Sequence, residues 1–121
     1  MNNWMQQVEE HVAPGTLSVG LYHGADRHEL LKPDAHFDIL ISSYGTISTD
    51  FGNAFPMEAA KENSKPKKKK ARKDGPSIFG QKFHRVVLDE AHTIRNTKSR
   101  TFAGIQKLES TYRLCLTGTP L

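Results

Sequence analysis

The sequence has little cysteine, few aromatic residues and no long apolar run, and each shortage closes off a class of protein. Cys115 is the only cysteine among 121 residues, so no intrachain disulfide can form and a reducing compartment is expected. Structural zinc is not expected either, because such sites want several thiolates. His11, His23, His28, His36, His84 and His92 are scattered, with no i, i+4 pair on one predicted helix. No apolar stretch is long enough to cross a bilayer, and the N-terminus lacks the charged-then-apolar layout of a secretory signal. The expectation is a soluble intracellular protein with no membrane partner. Also absent is Gly-x4-Gly-Lys-Ser/Thr, the loop that cradles phosphates where a strand gives way to a helix. The nearest approach, residues 75–83, puts Gln81 in the lysine position and Phe83 at or beside the hydroxyl position. It also leads into a strand, so its amides would not converge at a helix N-terminus.

What is present is a basic surplus in one place. The net charge is +4 with a quarter of the residues charged, which suits a soluble protein that meets nucleic acid. Much of the surplus lies in residues 65–73, around Lys67, Lys68, Lys69 and Lys70. This dense run resembles a nuclear-import signal and would also attract a phosphate backbone; the competing reading is a merely solvating charge run. Residues 52–80 hold too few apolar side chains to offset the entropy of ordering, so they read as a disordered basic insertion. It would separate residues 1–51 from residues 81–121.

The stretch with chemistry in it is Val86-Val87-Leu88-Asp89-Glu90-Ala91-His92. Its apolar start reads as a buried strand, and its two acids fall at the carboxyl end, where open α/β sheets place ligands. One carboxylate can hold a hydrated Mg²⁺ while its neighbour orients or deprotonates a water for attack on a γ-phosphate. Asp89 is the metal candidate and Glu90 the base. An Asp-Glu pair can equally end a strand and cap the next helix. Further on, Arg113-Leu114-Cys115-Leu116-Thr117-Gly118-Thr119-Pro120 is a second apolar strand running into a hydroxyl- and glycine-rich turn.

Between these landmarks helices and strands alternate. Trp4, Met5, Val8 and Val12 recur at helical spacing, and Pro14-Gly15 stops that helix. Residues 17–22 read as a strand, 26–31 as a helical turn, 37–42 as a strand, and a helix is expected to begin at 47. Residues 83–88 and 112–116 are further strands. Thr97 or Ser99 caps a helix carrying Phe102, Ile105 and Leu108 between them. Such alternation predicts a parallel sheet with α/β crossovers.

Taken together, "VVLDEAH … RLCLTGTP" resembles motifs II and III of the superfamily-two helicase-like ATPases, and within them the Swi/Snf-type DNA translocases. Trp4 and its neighbours are similar to the "NWxxEhxxH" helix of that family, His23-Gly24 with Arg27 to its "HGxxR" segment, residues 37–44 to its "fDvvitTY" strand, and Ile94-Arg95-Asn96 to its "IkN". The helicase-like transcription factor and post-replication-repair branch is the most similar in flavour. The resemblance implies a partial RecA-like lobe of the P-loop NTPase type that lacks the phosphate-loop strand. That loop precedes the Trp4 segment in the family, so the chain is expected to start downstream of it. Without that strand, residues 112–116 would form an apolar edge, and marginal stability on thermal melting is expected.

Roles follow by resemblance. Asp89 would hold Mg²⁺ through water and Glu90 would polarise the attacking water, with ATP as the substrate of the full-length parent. His92 would link the nucleotide site to motif III, although its residue type alone suits a satisfied polar group at a helix start. Thr117 and Thr119 would couple nucleotide state to lobe closure, with Gly118 allowing the turn; ordinary turn chemistry is the alternative. Ser43 and Tyr44 border the DNA path in the family, whereas a serine there can as readily cap the next helix. Trp4 is expected to pack in a core. The resulting expectation is a piece of a nuclear, ATP-dependent DNA translocase acting in repair or chromatin remodelling. It would be inactive without the remainder of the motor. The alternative is a non-catalytic module that uses the lysines to hold nucleic acid or an import receptor.

Overall fold

The computed structural model describes residues 2–59 and 76–117. The chain enters through α1 (Asn2–His11), turns at Gly15 and forms β1 (Val19–Tyr22). A 3-10 turn, Arg27–Leu31, carries it to β2 (Ile39–Ser42), and α2 (Tyr44–Ala54) and the short α3 (Pro56–Ala59) follow. The second part comprises a 3-10 turn at Ile78–Gly80, β3 (Lys82–Leu88), a 3-10 turn at Ala91–Ile94, α4 (Arg100–Lys107) and β4 (Glu109–Cys115). The strands form two parallel pairs, β1 with β2 and β3 with β4. Val19 stands opposite Ile39 in the first pair, and Leu88 opposite Cys115 in the second. Each pair is a crossover unit, as alternation of helix and strand predicts.

Caps define the helices more sharply than periodicity does. The Ser43 hydroxyl accepts from the Thr46 amide at 3.2 Å, so α2 begins at Tyr44, three residues before the expected start. Ser99, one of the two candidate caps, accepts from the Phe102 amide at 3.0 Å and starts α4. The far end of α4 is closed from β4, where the Arg113 guanidinium donates to the carbonyls of Ile105 and Leu108. A cation over the last carbonyls also suits the helix dipole. Helical structure at Pro56–Ala59 and Ile78–Gly80 occupies both ends of the stretch read as an insertion. Lys67, Lys68, Lys69 and Lys70 lie outside the described residues.

The core forms where α2 and α4 lie against the strands. Tyr22, Leu31, Ile47, Ile78, Leu88 and Ile105 are among its buried members. Gly104 sets the approach of the two helices: a Cβ there would stand 3.1 Å from the Phe51 Cβ and 3.4 Å from the Ile47 Cγ2. The other face of the β3–β4 pair stays in solvent. Val87 and Leu114 sit opposite each other in register, exposed by 45% and 48%, and Tyr112 beside them is exposed by 54%. Among the described residues β4 pairs only with β3, so its other edge faces no strand.

Candidate functional site

Asp89 and Glu90 emerge at the carboxyl end of β3, and the backbone reverses on Glu90 itself. That residue has φ 49° and ψ 47°, a left-handed conformation that a non-glycine residue adopts at some cost. The reversal aims the next amide sideways, so Ala91 donates to the Leu116 carbonyl at 2.9 Å while Leu116 donates back to Leu88 at 2.8 Å. These bonds lock the tips of β3 and β4 together just beyond the sheet.

Side chains extend the same lock. His92 Nδ1 lies 3.1 Å from the Thr117 Oγ1 and 3.3 Å from the Glu90 Oε2. An imidazole thus stands between the candidate base on one strand tip and a candidate coupling hydroxyl on the other. Gly118 and Thr119 lie outside the described residues.

Asp89 is held from three directions. Its Oδ1 accepts from the Glu90 amide at 3.0 Å, its Oδ2 from the Trp4 indole at 2.9 Å, and its carbonyl from the Tyr44 hydroxyl at 2.5 Å. Tyr44 starts α2 directly after β2, so this phenol ties the carboxyl ends of the two sheets to one another. Burial, then the charges of Asp89 and its neighbours, push the Tyr44 hydroxyl above its ordinary pKa. Sequence reasoning assigned Trp4 to packing and Tyr44 to the DNA path. In the structure Trp4 is 39% exposed and bonded to Asp89. The Ser43 hydroxyl is engaged in capping α2.

Among the described residues no group of three or more His, Cys, Asp or Glu side chains could cage a metal ion. A single carboxylate at a strand tip fits Mg²⁺, which keeps most of its water and is commonly bound through one or two carboxylates plus substrate phosphates. Residues 78–80 form a 3-10 turn feeding β3. Gln81 and Phe83 therefore offer no helix N-terminus to a phosphate.

Parallel strands with helical crossovers and an acid pair at one strand tip define a partial RecA-like lobe. The chain belongs to the SNF2-related domain family, whose match spans residues 1–121. It is 34% identical over 121 residues to the DNA repair protein RAD5A of Arabidopsis thaliana, covering all of this chain and 10% of that protein. It is 33% identical over 118 residues to a putative SWI/SNF-related matrix-associated actin-dependent regulator of chromatin, subfamily A member 3-like 1, of the same plant, covering 98% of this chain and 11% of that protein. The fold matches the Sulfolobus solfataricus SWI2/SNF2 ATPase core, solved in complex with dsDNA, with a TM-score of 0.66 and 22% identity, over 99% of this chain and 19% of that one. The chain thus spans about a tenth of the length of the curated relatives it matches.

Proposed function

We propose that residues 1–121 are the part of a SNF2-type motor lobe that carries the acidic strand tip and its link to the coupling turn. The motor would hydrolyse ATP to move along double-stranded DNA in repair or chromatin remodelling. The observation that carries this reading is the contact of His92 with both Glu90 and Thr117, which puts the candidate base and the coupling segment on one imidazole. Membership of the SNF2-related domain family supports it.

In this reading Glu90 orients and deprotonates the attacking water, and His92 fixes the Glu90 carboxylate. Asp89 holds the hydrated cation, with Tyr44 and the Glu90 amide fixing its position. Mg²⁺, when bound, supplies the charge that neutralises the phosphate oxygens. Thr117, Gly118 and Thr119 carry the state of the site to the rest of the motor. Lys67, Lys68, Lys69 and Lys70 supply phosphate contacts to DNA and the signal for nuclear entry.

Two measurements test this. With the chain substituted for its counterpart in an intact SNF2-type motor, Glu90→Gln should lower kcat for DNA-stimulated ATP hydrolysis at least about 100-fold, with KM for ATP within about threefold. An unchanged kcat removes Glu90 from the chemistry. Deleting residues 65–73 should flatten the salt dependence of DNA binding by the 121-residue chain, because each lost phosphate contact removes about 0.9 from the logarithmic slope. If the slope stays the same, the lysines do not touch DNA.

A further inference from the structure

The bond between Trp4 and Asp89 joins residues 85 positions apart, and core packing does not account for it. The indole is more than a third exposed, yet its N–H is spent on the one carboxylate that the proposed function assigns to a cation. The other oxygen of that carboxylate already receives the Glu90 amide. Each carboxylate oxygen therefore faces a donor. Each oxygen keeps a second lone pair, so a hydrated cation approaching Asp89 shares the carboxylate with these donors and draws its negative charge away from them.

We infer that Trp4 is a positioning residue that latches the Asp89 carboxylate, holding Oδ2 in the cation-free chain and yielding it when a divalent cation arrives. The inference rests on the reading of Asp89 as the cation's carboxylate. An N–H bond to a charged acceptor is strong enough to matter, since such bonds are about twice as strong as neutral ones. It is also weak enough to be exchanged for a divalent charge. Within α1, the Gln6 side chain donates to Glu10 four residues on, on the exposed side of the helix.

Trp4 is the only tryptophan in the chain, so its indole N–H gives a single side-chain signal in a ¹H–¹⁵N spectrum. Without metal, Asp89→Asn should move that signal, because a charged acceptor is replaced by a neutral amide. Mn²⁺ should broaden it in the wild-type chain and leave it sharp in Asp89→Asn. Trp4→Phe, with its fold verified by circular dichroism, should bind Mn²⁺ about tenfold more tightly by electron paramagnetic resonance, whereas the control Gln6→Ala should bind as wild type does. An indole signal indifferent to Asp89→Asn overturns the contact. Mn²⁺ binding that depends on Asp89 but is equal in wild type and Trp4→Phe overturns the latch and leaves the cation reading intact. If the indole responds to Asp89→Asn yet neither chain binds Mn²⁺ even with ATP present to supply phosphate oxygens, the cation reading fails and takes the latch with it.

Discussion

Asp50→Ala is expected to destabilise the chain by about 3–5 kcal/mol, the cost of removing one partner from a buried ionic group. Asp50 sits on α2 and is 5% exposed. Its Oδ2 accepts from the Tyr22 hydroxyl at 2.6 Å, and its Oδ1 from the Arg27 Nε at 3.2 Å as well as from the end of the guanidinium at 2.5 Å. The His28 ring completes the group, with Nε2 at 3.9 Å from Oδ1. Losing the carboxylate would leave a largely buried guanidinium without its counter-charge and a phenol with the more distant His28 ring, at 3.3 Å, as its partner. Urea unfolding should show a lower midpoint with an unchanged m-value. A loss below about 1 kcal/mol would mean that water replaces the carboxylate freely, as at an exposed ion pair.

The same group fixes a pH dependence. Burial, and then the hydrogen bond to Asp50, raise the Tyr22 hydroxyl above its ordinary value of 10.0. The folded chain keeps this proton where the unfolded chain has released it. The contribution to stability is thus complete below about pH 10 and is lost as pH climbs from there toward the folded-state value. Tyr22→Phe should flatten that alkaline decline.

Phe51→Ala should cost about 3–5 kcal/mol for a different reason, an unfilled cavity. Phe51 is 1% exposed and lies where α2 meets α4. Its ring centroid is 5.5 Å from that of Phe55 and 6.3 Å from that of Phe79, while Phe55 and Phe79 are 5.5 Å apart. Across the helix interface stands Gly104, which has no side chain to move into the space. Thermal melting reads the loss as a large fall in Tm, since a domain of this size has a net stability of only about 5–15 kcal/mol. A loss under about 2 kcal/mol would show that the helices collapse together over the gap.

Local pattern carried much of the fold. The spacing of Trp4, Met5, Val8 and Val12, the Ser99 cap and the apolar stretch ending at Leu88 each mark an element that the structure contains. β4 begins at Glu109, three residues ahead of expectation, because Glu109, Ser110 and Thr111 have no strand-like alternation. Pairing holds them extended, with Glu109 opposite Lys82 and Ser110 opposite Phe83. The onset of α2 is hidden in the sequence because Tyr44, Gly45 and Thr46 are indifferent helix formers. The cap at Ser43 overrides them.

The site divides in the same way. Asp89, Glu90 and His92 were legible because they are adjacent in sequence and follow a strand. Trp4 and the partnership of Tyr22, Arg27 and Asp50 were not, since their meaning depends on contacts across 23 to 85 residues. A tryptophan at helical spacing is ordinarily a core residue. Only the fold shows that this one faces a carboxylate.

The placement of His92 has a logical consequence. The same nitrogen, Nδ1, faces both the Glu90 carboxylate and the Thr117 hydroxyl. An ionised carboxylate can only accept, so a hydrogen bond from the ring to Glu90 would need the proton on Nδ1, whereas the Thr117 hydroxyl can either donate to Nδ1 or accept from it. If the ring turns its N–H fully toward Glu90, its claim on Thr117 weakens, and if it leans to Thr117 the carboxylate gains freedom. The imidazole therefore arbitrates between two strand tips. In the proposed function, a pull on the carboxylate at one tip would reach the other as a change of hydrogen-bond partner.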